Sequence, residues 1–277
     1  MEGIAMSDTR EFETIKVEVD GAVGRLTLNR PERLNAIGAT MLGELAEAAR
    51  WFDTYHDLRV VIVSGAGRAF SAGADLKDSP LGQSTPASRR SWLARREGGQ
   101  LGLRAADALE NMHAVTIAQV HGYAVGGGVV LMAVCDLRVV ADDASFFIPE
   151  IELGIPLAWG GIPRLVREIG PALTKELVMT CRRFTPDEAK SIGFVNRVVP
   201  QARLKDEVEK LAQQLTAMPS VPVAITKEHV NSVARAMSAG TTSFADGDVL
   251  LGSFGEEESR AAAAAYREKT FGRKSPD

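Results

Sequence analysis

The feature that most constrains how this chain folds is the stretch GGGVVLMAVCD at residues 126–136. Glycine loses more conformational freedom on folding than any other residue, so three in a row are expected where the backbone must pass very close to another group. The apolar run that follows has no polar face, which predicts a helix that is buried on all sides. The stretch therefore predicts a buried helix that begins at a point of close approach.

Short apolar runs typical of buried strands lie on both sides of this stretch, at residues 59–65, 115–122 and 137–141. Apolar residues at helical spacing predict a helix over 38–54, and another helix is expected to end near residue 111. Units of strand, loop and helix thus recur about every 50 residues, which is typical of α/β architecture. We therefore expect an α/β fold.

The segment 14–28, TIKVEVDGAVGRLTL, alternates apolar and polar residues on both sides of Asp20 and Gly21. Alternation with a period of two is the pattern of a half-buried strand, and an Asp-Gly pair favours a tight turn. The segment predicts a β-hairpin with a type I′ turn.

Beyond Pro200 the pattern changes from strands to helices. Helical spacing predicts one helix near 204–215 and a second over 221–237, and two more are expected within 241–270. We expect an α/β core at residues 1–200 and a helical region at residues 201–277. Such a helical region with one apolar face often packs on a neighbouring subunit, so an oligomer is expected.

The bulk composition is that of an ordinary globular protein, with 277 residues, 45% hydrophobic residues and a net charge of −4. This charge gives no reason to expect a nucleic-acid or membrane partner. Two cysteines, Cys135 and Cys181, in apolar segments favour a reducing compartment, and the first residues lack a signal pattern, so a cytoplasmic protein is expected. Four scattered histidines predict no metal site.

Two glycine-bearing loops share one design, in which a buried strand is followed by glycines and then by a helix. They are FSAGADLK at 70–77 and HGYAVGGGVV at 121–130. Each can present a backbone N–H at the start of a helix, where the helix dipole favours negative charge. Two such donors that converge on one oxygen form an oxyanion hole.

Other interpretations of these loops stay open, the simplest being that both are tight turns. GAGRAF at 65–70 approximates a dinucleotide fingerprint, with Phe70 in place of the final small residue. AFSAG at 69–73 approximates the nucleophile elbow of a serine hydrolase, with Ser71 as the nucleophile, although the sequence pairs no histidine with it.

Six separated motifs, in this order and spacing, resemble those of the crotonase superfamily, the enoyl-CoA hydratase/isomerase family. They are NRPERLNA (29–36), AFSAGADLK (69–77), HGYAVGGG (121–128), CDLRVVADDASFFIPE (135–150), LGIPLAWGGIPRL (153–165) and FTPDEAKSIGFVNRVV (184–199). The resemblance implies a spiral of ββα units followed by C-terminal helices that mediate a homotrimer, often paired into a hexamer. It also implies an acyl-CoA thioester substrate, with coenzyme A as part of the substrate and no separate cofactor.

The resemblance also implies roles for individual residues. Ala74 and Gly127 would supply the N–H groups that bind the thioester oxygen, and Glu150 would be a catalytic carboxylate. The residues expected around coenzyme A are Arg30, Leu34, Ala72, Asp75, Leu76 and Lys77. The residues expected around the acyl group are Val130, Ala158 and Trp159. The segment 266–274 is similar to the family's closing helix, but its tip is basic, so we assign it no role in the acyl pocket.

The sequence departs from the hydratases of this family, which carry two catalytic glutamates. Val130 stands where the first would be, and Glu150 remains. A single carboxylate favours a double-bond shift, because one group removes a proton from one carbon and returns it two carbons along. The alternatives are hydration with a substitute second group, another enolate reaction such as decarboxylation or hydrolysis, and acyl-CoA binding without chemistry. Glu152 is the first candidate for a substitute acid, although an ion-paired or solvated role is favoured there.

Overall fold

Two sheets form the frame of the protein, in a computed structural model that describes residues 7–76, 91–238 and 245–271. The described strands are β1 (Asp8–Arg10), β2 (Ile15–Asp20), β3 (Val23–Leu28), β4 (Val60–Gly65), β5 (Val115–Val120), β6 (Tyr123–Val125), β7 (Leu137–Ala141), β8 (Ser145–Phe147) and β9 (Arg197–Val199). The larger sheet has the order β1-β2-β3-β4-β5-β7-β9, and β6 pairs with β8 in the smaller one. Pairing in the larger sheet is antiparallel from β1 to β3 and parallel from β3 to β9.

Helices connect and cover these strands, as the predicted α/β class requires. The described α-helices are α1 (Ala39–Phe52), α2 (Trp92–Glu110), α3 (Gly127–Val134), α4 (Gly161–Thr180), α5 (Pro186–Ser191), α6 (Leu204–Thr216), α7 (Ser220–Met237), α8 (Asp246–Ser253) and α9 (Glu257–Phe271). None of these described helices is both long enough and apolar enough to cross a membrane.

The predicted hairpin is present, but its turn is not type I′. Ile15 pairs with Leu28 and Asp20 pairs with Val23, so the two loop residues are Gly21 and Ala22. Gly21 has a φ of +57°, whereas Ala22 is not among the described residues with positive φ. A type I′ turn needs positive φ at both central residues, so the prediction of that turn type was wrong.

Both faces of the larger sheet are covered at its central strand β4, where successive side chains point to opposite faces. In β4, Val61 and Val63 face the main core, which also contains residues of α1, α2 and α3. Val60 and Ile62 face the other way and pack in a second cluster with residues of α6. Helix α6, which lies beyond residue 200, therefore helps to build the core of the sheet, and a domain boundary at that residue stays a prediction.

Isolated bridges extend the smaller sheet into a layer that joins the two glycine loops. Ser71 pairs with Ala124, and Ala74 pairs with Ile37. Because the parallel strands β4 and β5 point the same way, the loops that follow them leave the same edge of the larger sheet. The fold thus brings the segment around Ala74 beside the N-terminus of α3.

Candidate active site

The loop after β4 holds Ala74 with its N–H group aimed away from the neighbouring strand segment. Ile37 N donates to Gly73 O at 2.8 Å, and Asp75 N donates to Ile37 O at 2.9 Å. In a parallel pairing, the residue between two such bonds directs its own N–H to the opposite side. Ala74 also lines a cavity.

Gly127 is the first residue of α3 and lines the same cavity. The first N–H groups of a helix have no acceptor within the helix. The two loops are in close contact, since a Cβ on Gly73 would lie 2.5 Å from Val125 O and 3.5 Å from Gly127 N. Within the part of the chain that the structure describes, neither the Ala74 N–H nor the Gly127 N–H has an acceptor.

Each glycine of the triplet leaves room for a different neighbour. A Cβ on Gly126 would lie 2.3 Å from Glu150 Oε1, and one on Gly127 would lie 2.2 Å from Trp159 Cζ3. A Cβ on Gly128 would lie 2.9 Å from Ser71 O. The triplet therefore allows α3 to approach a carboxylate, an aromatic ring and the other glycine loop at once.

Glu150 follows β8 and reaches the cavity with a carboxyl group that is almost fully buried. The residue is 8% exposed, and its Oε2 atom has no hydrogen-bond partner among the described residues. Burial raises the pKa of this carboxyl from 4.5 to about 7, against a smaller lowering by a backbone hydrogen bond. A carboxyl group with this pKa exchanges protons readily near neutral pH, as an acid–base catalyst must.

The cavity that contains these groups is narrow and mostly apolar, with a volume of about 100 Å³. The three residues predicted for the acyl pocket, Val130, Ala158 and Trp159, all line it. Leu250 and Phe254 close it from α8 and its C-terminus, and Ala263 and Arg267 of α9 also line it. The sequence assigned no role in the acyl pocket to the segment 266–274, and Arg267 of that segment lines the cavity.

Only two carboxylates, Asp75 and Glu150, are found among the described residues that line this cavity. Asp75 is engaged elsewhere, because its Oδ2 atom lies 2.9 Å from Arg30 Nη1 and 3.1 Å from Arg33 Nη1. Glu152 does not line the cavity, and its half-exposed side chain lies 3.9 Å from Lys269 Nζ. Val130 occupies the position of the missing glutamate with a fully buried apolar side chain.

The residues predicted to bind coenzyme A lie around the loop of Ala74. Leu76 lines the cavity, and Arg30 is tied to Asp75 and to Ala36 O at 2.8 Å. Ala72 N donates to Leu34 O at 2.8 Å, which joins the two loops. Lys77 lies outside the described residues, and contacts of all these residues with coenzyme A stay predictions.

Ser71 is fully buried and serves the backbone of this loop. Its Oγ atom donates to Asn35 O at 2.8 Å and accepts from Gly73 N at 3.1 Å. His113 contacts Asp53 and His121 contacts Gly67 O, and none of the four histidines, all of which the structure describes, bonds to Ser71. A serine nucleophile has no base in this arrangement.

Sequence reasoning missed the charged residues that hold Trp159. Arg164 Nη1 lies 3.2 Å from both Trp159 O and Gly160 O, and Asp246 Oδ2 accepts from Gly160 N at 2.6 Å. The Gly-Gly pair at 160–161 signals a tight turn, but nothing in the sequence links it to a carboxylate 86 residues away.

Comparisons with known proteins agree with this architecture. The family model described as enoyl-CoA hydratase/isomerase matches residues 18–273. A probable enoyl-CoA hydratase of Mycobacterium tuberculosis is 38% identical over 220 residues, which are 79% of this chain and 82% of that protein. Carnitinyl-CoA dehydratase of Escherichia coli K12 is 40% identical over 217 residues, which are 78% of this chain and 79% of that protein.

A comparison with a crystal structure shows that the fold is also that of this family. The structure of an enoyl-CoA hydratase/isomerase from Xanthobacter autotrophicus Py2 matches with a TM-score of 0.82 and 29% identity, over 94% of this chain and 99% of that one. The predicted crotonase-like α/β class is therefore confirmed. From the family model and these relatives together, the chain belongs to the enoyl-CoA hydratase/isomerase family.

Proposed function

We propose that this protein isomerises the double bond of an enoyl-CoA thioester with Glu150 as its single acid–base group. The observation that carries the proposal is that Glu150 is the one cavity carboxylate, among the described residues, that is not held by arginines. Its unpartnered Oε2 atom is available to a substrate proton.

The reaction begins when the thioester oxygen accepts hydrogen bonds from Ala74 N–H and Gly127 N–H. The Glu150 carboxylate removes a proton from the carbon next to the thioester, and the electron pair of that C–H bond moves into the conjugated system. The negative charge of the resulting dienolate collects on the oxygen, where the two N–H groups stabilise it. Protonated Glu150 then returns the proton two carbons along, which completes the double-bond shift without any second residue.

The walls around Glu150 favour this reaction over hydration. Hydration needs one group that takes a proton from water and another that delivers a proton to carbon. Val130 presents methyl groups where a second carboxylate would be, and Asp75 is bound by Arg30 and Arg33. Relatives named enoyl-CoA hydratase and carnitinyl-CoA dehydratase make hydration the second candidate.

A product assay in heavy-oxygen water separates the two candidates. We expect a 3-enoyl-CoA substrate to give the 2-enoyl product without heavy oxygen, whereas hydration of a 2-enoyl-CoA would incorporate it. Glu150→Gln should lower kcat by at least about a hundredfold, the scale of a lost acid–base group, and should leave binding of a saturated acyl-CoA unchanged. Glu152→Gln is the matched control, because Glu152 is exposed and pairs with Lys269. Full turnover by Glu150→Gln would refute the proposal.

Assembly into a homotrimer or hexamer belongs to the same proposal. Helix α7 has no buried residue and exposes five large apolar side chains, namely Val221, Ile225, Val230, Val233 and Met237. Light scattering at micromolar concentration should give three or six times the mass of the chain. A Val230→Glu and Val233→Glu double variant should give a smaller particle, and a monomeric wild-type protein would contradict this part. The cytoplasmic location stays a prediction.

A further inference from the structure

We propose that Trp159 limits the length of the acyl group, so that the protein acts on short-chain enoyl-CoA thioesters. This inference rests on the proposed function, because it names the substrate class of the same cavity. It starts from the position of the indole ring, which lies beside one of the two N–H groups expected to bind the thioester oxygen.

The indole ring lies in a space that two helices leave open by lacking side chains. On α3, a Cβ on Gly127 would lie 2.2 Å from Cζ3 of Trp159. On α2, a Cβ on Gly102 would lie 2.0 Å from Cδ1 and 2.1 Å from Nε1. A glycine inside a helix destabilises it relative to alanine, so Gly102 is expected to have a packing reason, and the indole ring supplies one. The ring fills the gap between the two helices.

The backbone of Trp159 is held in place, and its ring is packed between Gly102 and Gly127, so the ring forms a fixed wall. Its φ is +60°, a left-handed conformation that a non-glycine residue adopts only when its surroundings hold it there. Arg164 bonds the carbonyl groups of residues 159 and 160, and Asp246 bonds the N–H of Gly160. Arg164 is itself buried and held by Asp107 and Glu110, each at 2.8 Å.

Among the described residues, the other walls near the reacting groups leave little room for a longer chain. A Cβ on Gly161 would lie 2.9 Å from Val130 Cγ2 and 3.0 Å from Leu157 Cδ2, so this side is already filled. On the side of α8, Gly99 and Gly247 bring two backbones together, since a Cβ on Gly99 would lie 2.9 Å from the Cα of Gly247. Removal of the indole would thus open the space between α2 and α3.

The test measures kcat/KM for a series of 3-enoyl-CoA thioesters from the four-carbon vinylacetyl-CoA to the ten-carbon ester. We expect the wild-type protein to prefer the shortest members, because a methylene that does not fit a closed pocket changes kcat/KM by about tenfold or more. Trp159→Ala should raise the ratio of long-chain to short-chain kcat/KM by at least about tenfold, and Trp159→Phe should give an intermediate ratio. Trp92→Ala is the matched control, because Trp92 is 61% exposed and does not line the cavity.

A second variant tests the position of the indole ring from the side of α2. Gly102→Ala places a methyl group against the indole and should push the ring toward the substrate, so kcat/KM should fall most for the longer esters. The same change in a Trp159→Phe or Trp159→Ala background should cost less, which a double-mutant cycle measures. If Trp159→Ala does not fold, the Trp159→Phe variant and its double-mutant cycle with Gly102→Ala still test whether Trp159 limits chain length.

The outcomes separate this inference from the proposed function. A wild-type protein that isomerises all chain lengths equally, or a Trp159→Ala variant with an unchanged ratio, overturns the inference and leaves isomerisation in place. A wild-type protein that isomerises none of the esters overturns the proposed function. In that case, a binding measurement decides whether Trp159 limits the acyl group. The affinity for saturated acyl-CoA esters of increasing chain length is compared between the wild type and Trp159→Ala.

Discussion

Replacing Glu150 by glutamine should stabilise the folded protein at alkaline pH while removing its proposed activity. Because burial raises the pKa of Glu150 above its ordinary value, the folded state favours the neutral, protonated carboxyl. The wild-type protein therefore loses stability as the pH rises from 4.5 through about 7, since the buried group must then become charged. Glutamine has nearly the same shape and never ionises.

The size of the effect follows from the displacement of the pKa. Each tenfold change in an ionisation equilibrium corresponds to about 1.4 kcal/mol, so a rise from 4.5 to about 7 implies a cost of about 3 kcal/mol once the carboxyl is fully ionised. Near pH 5 less than about 1 kcal/mol of this cost is present. The stability difference between Glu150→Gln and wild type should thus grow by about 2 to 3 kcal/mol between about pH 5 and pH 8.

Urea denaturation of both proteins at a series of pH values measures this difference. The protein concentration is held constant, because assembly makes apparent stability depend on it. Glu152→Gln serves as the control and should follow the wild-type curve, since its side chain is half exposed. A stability difference that does not change with pH would show that the Glu150 carboxyl is not destabilised by burial, and the acid–base argument would lose its basis.

Three further results are expected from the same site and its supports. The kcat/KM of the wild-type enzyme should rise with pH and level off above about pH 7, because the free enzyme needs ionised Glu150, and a profile flat down to about pH 5 would contradict this. Glu110→Gln should lower the free energy of unfolding at neutral pH by about 3 to 5 kcal/mol, because among the described residues it leaves Arg167 without a charged partner and Arg164 with Asp107 alone. Burial acts to raise the pKa of Glu110, but Arg164 and Arg167 outweigh it and lower that pKa, so the loss should shrink as the pH falls and the wild-type carboxyl is protonated. Ser71→Ala should cost about 1 to 3 kcal/mol in urea denaturation, and wild-type Ser71 should not react with a fluorophosphonate, since labelling would restore the hydrolase interpretation.

Local patterns predicted the secondary elements that carry the site. The predicted strands at 59–65, 115–122 and 137–141 and the helix at 38–54 are observed within one or two residues at each end. These elements have one strong period or a continuous apolar run, which is the signal that a single sequence carries best. Helix α4 escaped this reasoning because it breaks at Gly170, which has a φ of +75° and precedes Pro171. A break of this kind interrupts the helical period that would have revealed it.

The parts of the site that could not be predicted depend on contacts between distant residues. The partners of Asp75 are an example, because they are two arginines that lie 42 and 45 residues earlier in the chain. An aspartate after a glycine loop has the same local sequence pattern whether it binds a ligand or distant arginines. The link from Asp246 to Gly160 is another. This second contact depends on how α8 packs across the cavity, and no local spacing encodes that packing.

The glycine triplet shows why a local signal predicts a site but not its chemistry. Sequence alone indicates that something approaches the backbone at residues 126–128, and the structure shows three different neighbours there. Glu150 lies against Gly126, the residue directly before Gly127, so its carboxyl group lies near the N–H of Gly127. Trp159 lies against the second, so the same residue that offers the N–H group also carries the wall of the acyl cavity. Because these contacts lie within a single tightly packed helix turn, a side chain added at any of the three glycines would displace a part of the site.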